Sequence, residues 1–205
     1  MNEITKLRNL MEQDHFAFTG RESVIVIPLL QENDTWKLLY EVRSSGLRTQ
    51  PGEVCFPGGK IEEGESAEEA AKRECCEELC IEDEQIRLIA CLGTLAGPRE
   101  QAVTVFAGLL CDYGYTFSED ESSRVFSVSL EDLRQNALVQ HVTSVYSADE
   151  RMFRDVPGGL DWLNHPSERE MYFFRTDPVI WGFTARITAK FLDLWTRVVS
   201  RTELE

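Results

Sequence analysis

The sequence is short of positive charge. Its 205 residues include 21 lysines and arginines against 36 aspartates and glutamates, which leaves a net charge of −15 at pH 7. Such an excess argues against nucleic acid or an anionic membrane as a partner, because both repel an acidic surface. It also makes the binding of a bare phosphate compound unfavourable. A phosphate ligand would therefore need a metal ion or local arginines at its site.

Several other signals are absent from the chain. None of the six cysteines forms a CxxC pair, which argues against a zinc site. The three histidines, His15, His141 and His165, are scattered and belong to no recognisable catalytic triad. The first residues do not resemble a signal peptide, and no hydrophobic run reaches membrane-spanning length. These observations predict a cytoplasmic protein with reduced thiols, built as a single domain over residues 1–205.

What the chain does contain is an acidic stretch in which Glu74, Glu77 and Glu78 stand at positions i, i+3 and i+4. On a helix these positions share one face, where three carboxylates repel each other unless a cation lies between them. Hard divalent ions such as Mg²⁺ and Mn²⁺ take oxygen ligands of this kind. The spacing therefore indicates a metal site, with Glu74 and Glu78 as the most directly facing pair. The alternative is a solvated, glutamate-rich surface helix.

The helix that carries these residues is predicted independently. Ser66 followed by Glu69 is typical of a capping box, so the helix should begin near Ala67. An apolar stripe beside the acidic face is suited to packing on a sheet. The stripe consists of Ala71, Cys75 and Leu79.

Residues 59–81 read GKIEEGESAEEAAKRECCEELCI. This segment resembles the signature of the Nudix hydrolases, in which a glycine, a glutamate, an arginine and paired glutamates recur at fixed spacing. The matching positions are Gly59, Glu65, Arg73, Glu74, Cys75, Glu77, Glu78 and Ile81. Cys80 departs from the signature, because the family usually has glycine there, and we expect a different C-terminal turn of the helix. The resemblance implies a Nudix fold, an α/β/α sandwich with a mixed β-sheet.

The remainder of the chain alternates strands with few helices, which favours the same α/β architecture. A short helix is expected over residues 2–13, and a C-terminal helix over about 181–201. Residues 147–168 are polar and loop-like. Hydrophobic patterns predict strands at 23–30, 37–43, 54–56, 86–95, 102–110, 124–128, 137–146 and 170–174, and a further helix at 130–136.

A second resemblance lies just before the glycine turn. Residues 39–59 read LYEVRSSGLRTQPGEVCFPGG and are similar to the extra motif of the coenzyme A diphosphatase branch of the Nudix family. Residues 125–130 and 180–185 resemble two further segments of that branch. Two positions depart from it: Glu41 stands where the branch often has threonine, and Gln50 where it often has histidine. Residues 147–168 have no counterpart in it.

The resemblance implies hydrolysis of coenzyme A or its thioesters to 3′,5′-ADP and 4′-phosphopantetheine or its acylated form, with Mg²⁺ or Mn²⁺ as cofactor. Glu74, Glu77 and Glu78 would be the metal ligands and catalytic residues, and Glu77 could act instead as a base. Glu65 and Arg73 would brace the loop against the helix without touching substrate.

Arg43 and Arg48 are the candidates for substrate binding, because guanidinium groups hold phosphate oxygens through paired donors. Surface arginines that balance the acidic charge are the alternative. The turn at Gly58 and Gly59 exposes backbone that could approach a metal or a phosphate closely.

Several alternatives stay open. A base from outside the signature could be Glu53, Glu100 or Glu121, with ordinary surface charge as the competing interpretation. The substrate could be ADP-ribose, a dinucleotide or a nucleoside triphosphate, or the chain could be a non-catalytic Nudix module that senses a ligand or binds a protein. Trp162 is a candidate for contact with adenine. All four tryptophans are otherwise expected to be core or packing residues and not base-stacking platforms: Trp36, Trp162, Trp181 and Trp195.

Overall fold

The computed structural model of the protein describes residues 22–97, 101–144 and 167–202. The strands are β1 (Glu22–Glu32), β2 (Thr35–Arg43), β3 (Val54–Cys55), β4 (Ile86–Ala96), β5 (Ala102–Leu110), β6 (Ser122–Ser129), β7 (Ala137–Ser144), β8 (Ser167–Phe174) and β9 (Ile180–Trp181). The α-helices are α1 (Ala67–Leu79), α2 (Leu130–Gln135) and α3 (Gly182–Thr202), and a 3-10 turn spans Asp83–Gln85.

Six of the strands form a mixed sheet in which β1 lies between β2 and β5. Strands β1 and β5 run parallel, from Glu22 opposite Ala102 to Leu29 opposite Leu109. The remaining pairs are antiparallel, and β2 pairs with β1, β3 and β6. A second, antiparallel sheet has the order β7, β8, β9. Because β2 meets three other strands, the end of β2 lies where several segments of the chain converge.

The two faces of the six-stranded sheet are covered by different helices, as the period-2 alternation of strand side chains requires. On β1, Val24 and Val26 pack in the cluster that contains the buried residues of α1. Ile27 and Leu29 point to the opposite face and pack in the cluster that contains the buried residues of α3. Helices on both faces of a mixed sheet make an α/β/α sandwich, so the predicted fold class is confirmed.

The expected strands and the helix at 130–136 are present, and their bounds differ from the predictions by at most three residues. Strand β9 was not predicted, and Trp181 was expected to begin the C-terminal helix at about 181–201. Phe173 and Phe174 instead pair with Trp181 and Ile180, and the helix follows at Gly182. The predicted helix at 2–13 and most of the predicted loop at 147–168 lie outside the described residues.

The described cysteines are all free thiols. No helix among the described residues is both long and apolar enough to cross a membrane.

Candidate active site

Helix α1 begins and packs as its sequence predicts. The Glu69 amide donates to Ser66 Oγ at 3.3 Å and the Ser66 amide donates to Glu69 Oε2 at 2.9 Å, which confirms the capping box. The predicted apolar stripe is also confirmed, since Ala71, Cys75 and Leu79 are fully buried against the sheet. These local contacts fix the rotation of the helix about its axis and so decide which way its glutamates point.

The C-terminal turn of α1 corrects an expectation. Cys80 adopts φ 52° and ψ 52°, the left-handed conformation that glycine would take. The Ile81 amide donates to the Cys76 carbonyl at 3.1 Å, and Thr116 Oγ1 donates to the Leu79 carbonyl at 2.6 Å. These bonds satisfy the last carbonyls of the helix and hold the turn. The different turn expected from the missing glycine is therefore wrong, and the cysteine is held in a strained backbone conformation instead.

The glycine turn is fixed to the start of β1. The Val26 amide donates to the Pro57 carbonyl at 2.9 Å and the Val24 amide to the Gly59 carbonyl at 2.8 Å. At Gly58 the φ is +154° and a Cβ would lie 2.2 Å from the Val24 carbonyl oxygen. At Gly59 a Cβ would lie 2.2 Å from a carboxylate oxygen of Glu74. Gly58 requires glycine, because an added Cβ would meet backbone, whereas at Gly59 it would meet the end of the Glu74 side chain and displace that carboxylate.

Glu78 is buried at the centre of the site and is 7% exposed. Its Oε2 accepts a hydrogen bond from the Gly58 amide at 2.8 Å. Burial raises the pKa of Glu78, and the negative charge of a second buried glutamate, Glu41, raises it further. A carboxyl that is held this tightly between like charges favours any cation that can reach it.

Arg73 holds the outer part of the site together. Its Nε and Nη2 donate to the two oxygens of Glu65 at 2.8 and 3.0 Å, a bidentate pair. Its Nη1 donates to Glu74 at 2.9 Å and to Glu77 at 3.3 Å. A further bond to the Lys60 carbonyl at 3.1 Å ties the loop to the helix. The geometry is that of a brace, while the roles of Glu65 and Arg73 in the reaction stay predictions.

The two outer glutamates of the row differ in exposure. The Glu74 side chain is 15% exposed and burial raises its pKa, although the hydrogen bond from Arg73 opposes the shift. The Glu77 side chain is 59% exposed and reaches solvent beyond Arg73. Glu74 and Glu78 thus lie against the two glycines of the turn, and Glu77 lies at the rim.

Glu41 completes this group, and the sequence did not single it out as a site residue. It lies in β2, is 1% exposed and shares the face of Leu39, which packs against α1. Burial raises its pKa, and hydrogen bonds with Ser122 and Glu78 oppose the shift. The signal that could have found it is a glutamate inside a strand whose flanking residues are apolar on both faces.

The three candidate bases outside the signature are Glu53, Glu100 and Glu121, and the two that the structure describes differ in their position relative to the row of helix glutamates. Burial is the largest cause of the raised pKa values of Glu41, Glu74 and Glu78, and the charge of Glu121 adds to all three. Glu121 therefore lies close to the row. Glu53 lies in the neighbouring cleft and accepts from Gln50 at 2.8 Å. Glu100 lies outside the described residues.

A cleft of about 400 Å³ opens beside the glycine turn. Its walls include Arg43, Lys60, Gly58 and Gly59, so two cations face the backbone of the turn. Arg43 Nε donates to the Thr49 carbonyl at 3.1 Å, which fixes the guanidinium in place. Arg48 is exposed and does not line the cleft, so the structure brings one of the two predicted arginines to the site. Lys60 is a cation that the sequence reasoning missed.

The tryptophans divide into two groups. Trp36 and Trp195 pack edge to face with ring centroids 5.6 Å apart, which confirms their expected place in the core. Trp181 is 44% exposed and lines the cleft, so it does not belong to the core. The reason is that β9 alternates its side chains, with Ile180 buried and Trp181 turned outward. Trp162 lies outside the described residues.

The donors of this site suit a hard divalent ion. All are carboxylate oxygens, and Oε1 of Glu41 is buried without a hydrogen-bond donor among the described residues. As the side chains stand, no three His, Cys, Asp or Glu groups in residues 22–97, 101–144 and 167–202 are gathered to hold an ion. Arg73 forms ion pairs with Glu74 and Glu77. Glu74, Glu77 and Glu78 are the residues that would hold the ion.

Comparisons with known proteins agree with this geometry. The NUDIX domain model matches residues 19–150. The Nudix hydrolase NudL of an Enterobacter species is 32% identical over 184 residues, which covers 88% of this chain and 85% of that protein. The mouse peroxisomal coenzyme A diphosphatase NUDT7 is 34% identical over 110 residues, 52% of this chain and 46% of that protein.

A likeness to solved structures shows the same fold. A MutT/nudix family protein from Enterococcus faecalis is similar with a TM-score of 0.50 at 16% identity, over 94% of this chain and 68% of that one. The family model, the Enterobacter relative and the arrangement of the acidic helix at the glycine turn lead to one conclusion: the chain belongs to the Nudix hydrolase family.

Proposed function

We propose that the protein is a divalent-metal-dependent diphosphatase that cleaves the phosphoanhydride bond of coenzyme A or its thioesters. Water would add across the P–O–P link, one P–O bond would break and one would form. The products would be 3′,5′-ADP and 4′-phosphopantetheine or its acylated form. The observation that carries the proposal is the buried Glu78 carboxylate, bonded to the Gly58 amide at 2.8 Å beside a cleft that holds Arg43 and Lys60.

The carboxylates supply the metal-binding part of this function. Glu74 and Glu78 reach the two glycines of the turn, and Glu77 lies at the rim. When bound, Mg²⁺ or Mn²⁺ would neutralise the diphosphate and lower the pKa of the attacking water. The protein's own task is then to hold the carboxylates and the diphosphate in a fixed arrangement. Positioning and electrostatics supply most of the rate in phosphoryl chemistry.

The cleft supplies the substrate-binding part. Arg43 can hold a phosphate group through its guanidinium, and its Nε bond to the Thr49 carbonyl fixes its direction. Trp181 presents an exposed ring on the same cleft, which suits stacking of an adenine base. Thr184 Oγ1 donates to the Val54 carbonyl at 2.9 Å and ties this wall to β3. The name of the mouse relative supports coenzyme A as the substrate that carries both groups.

A substrate panel tests the proposal. Coenzyme A, acetyl-coenzyme A, ADP-ribose, a dinucleoside polyphosphate and a nucleoside triphosphate would each be incubated with Mg²⁺, and products identified by mass spectrometry. We expect coenzyme A or its thioester to be cut fastest, with 3′,5′-ADP as one product. Glu78→Gln, purified in the same way, is the control for contaminating activity.

Two outcomes would overturn parts of the proposal. Much faster cleavage of ADP-ribose than of coenzyme A at equal concentration would keep the reaction and replace the substrate. No turnover of any diphosphate by the intact protein would favour a ligand-sensing or protein-binding module, which needs the fold without the chemistry.

A further inference from the structure

Glu41 is a buried carboxylate whose position is fixed from both sides. In the sheet it lies opposite Cys55 of β3 and opposite Val125 of β6. It is 1% exposed and shares the face of Leu39, which packs in the α1 cluster. A side chain held between two paired strands cannot turn away to solvent, so its oxygens stay directed at the acidic helix.

The surroundings of Glu41 compensate its charge only in part: burial raises the pKa of this carboxyl by more than the positive charge of Arg43 lowers it. Its carboxyl has hydrogen-bonding neighbours in Ser122 and Glu78, and Glu78 is itself acidic. With both carboxyls ionised, Oε1 of Glu41 has no donor among the described residues. Within the described residues no basic side chain forms an ion pair with Glu41, and Arg73 is engaged by Glu65, Glu74 and Glu77. A buried carboxylate that no cation contacts directly is costly, so this position is suited to a cation that arrives from outside.

We infer that Glu41 is an additional ligand of the divalent ion, and that it shares this ion with Glu78 at the inner end of the carboxylate row. The site then comprises the three helix glutamates of the signature and one strand glutamate. Oxygen ligands from a helix and from a paired strand would clamp the ion from two directions. This inference rests on the proposed metal-dependent function and names one more residue of the same site.

The competing interpretation is that Glu41 and Glu78 form a structural pair that shares a proton and takes no part in metal binding. The two interpretations differ in what the removal of Glu41 does. A ligand contributes to affinity, so its loss weakens metal binding. A structural partner that competes for Glu78 would, when removed, leave the affinity unchanged or raise it.

The test measures Mn²⁺ binding by the full chain in the absence of substrate. The electron paramagnetic resonance signal of free Mn²⁺ reports how much of the ion stays unbound. The variants are Glu41→Gln, which keeps the shape and removes the charge, and Glu41→Asp, which keeps the charge and withdraws the oxygens. Glu63→Gln is the matched control, because Glu63 is exposed in the loop ahead of α1. We expect Glu63→Gln to bind like the wild type and both Glu41 variants to bind at least about tenfold more weakly.

Thermal melting of the metal-free variants checks that they are folded. Unchanged Mn²⁺ affinity in Glu41→Gln would overturn the inference. The inference would also be overturned if Glu41→Asp bound Mn²⁺ like the wild type while Glu41→Gln bound it weakly. A negative charge at a distance would then be sufficient for the affinity, without direct contact between the carboxylate and the ion. If the wild type itself shows no saturable Mn²⁺ binding, the proposed function fails as well, so the two failures are distinguishable.

Discussion

The two long helices that cover the sheet use opposite kinds of side chain. Helix α1 presses small residues against the strands and buries a carboxylate, Glu78, among them. Helix α3 presses large apolar residues against the other face. Its buried side chains include Ile187, Phe191, Leu192, Trp195 and Val198.

The two sides therefore differ in what they contribute. The α1 side carries the acidic groups of the proposed site, and the α3 side carries the larger apolar residues. On the α1 side, the carboxylate of Glu74 lies against Gly59, where an added Cβ would displace it. Large residues on α3 bury more apolar area and contribute more to the free energy of unfolding. The α1 side is therefore the part of the molecule where acidic groups are held in a costly arrangement, and the α3 side offsets that cost.

The largest effect is expected from Glu78→Gln on the α1 side. Loss of the buried carboxylate removes a metal ligand, so we expect turnover to fall by at least about 10³-fold, or about 4 kcal/mol of transition-state stabilisation. The metal-free variant should melt at or above the wild-type temperature, because one of two repelling carboxyls is gone. Steady-state kinetics with Mg²⁺ measures the first quantity, and Glu68→Gln on the exposed face of the same helix is the control. Near-normal turnover would contradict the assignment.

Phe191→Ala on the α3 side should lower the stability and leave the turnover nearly unchanged. Phe191 is 1% exposed, and truncation of a buried phenylalanine costs about 3–4 kcal/mol. We expect urea unfolding to show this loss, while the activity per folded molecule stays close to that of the wild type. Strong loss of activity without loss of stability would mean that the two faces of the sheet are not separate in function.

The pH dependence of stability should also belong to the α1 side. Burial raises the pKa values of both Glu41 and Glu78 above those of the unfolded chain, and the negative charge of Glu41 raises that of Glu78 further. The folded state then holds more protons than the unfolded state, so the free energy of unfolding of metal-free protein should fall as pH rises from about 5 to 8, by on the order of 2 kcal/mol. Urea unfolding in the presence of a chelator measures it.

Glu78→Gln provides the control for this prediction, because it should lose the part of the slope that Glu78 contributes and keep the part that comes from the buried Glu41. Mn²⁺ should bind more tightly as pH rises, since its ligands must be deprotonated. A metal-free protein that is most stable at pH 8 would count against the buried pair.

Trp181 directly precedes α3 and lines the cleft. Trp181→Ala tests whether its ring contributes to substrate binding. Stacking of a base on an aromatic ring contributes about 1–3 kcal/mol, so we expect KM to rise about tenfold with kcat changed only a few-fold. The melting temperature should change little, because the ring is 44% exposed. An unchanged KM would remove Trp181 from the substrate site. Trp36→Phe, in the core, gives the reference for a change of tryptophan away from the cleft.

Much of this arrangement could be predicted from the sequence where contacts are local. Ser66 and Glu69 are three residues apart and fix the start of α1 between them. The glutamates that follow at i, i+3 and i+4 then share a face by helix geometry alone. The α/β/α fold followed from alternating patterns and from the signature, neither of which requires knowledge of distant contacts.

The residues that the sequence did not reveal depend on distant contacts. Glu41 becomes part of the site only because Glu78 and Ser122 come from other elements of the fold. Trp181 belongs to a segment whose apolar periodicity continues into α3, so the two-residue strand β9 was hidden within a helical pattern. Cys80 follows a turn that Ile81 and Thr116 impose, against the local preference of a cysteine.

The smallest effect is expected at this turn. Cys80→Gly relieves a left-handed conformation that costs an L-residue about 1–2 kcal/mol, although glycine adds entropy to the unfolded chain. We expect a net gain in stability of about 0.5–1 kcal/mol by urea unfolding. Cys76→Gly, within the helix, should instead lose about 1 kcal/mol. Equal effects of the two changes would show that the turn is not strained.

The most direct test of the central claim is the position of a paramagnetic ion in solution. Mn²⁺ added below one equivalent broadens amide signals near it in a two-dimensional nuclear magnetic resonance spectrum. We predict that the amides of Gly58, Gly59 and Glu78 vanish first and that those of Phe191 and Trp195 persist. Broadening that spreads evenly over the acidic surface, or that begins away from the glycine turn, would contradict the account.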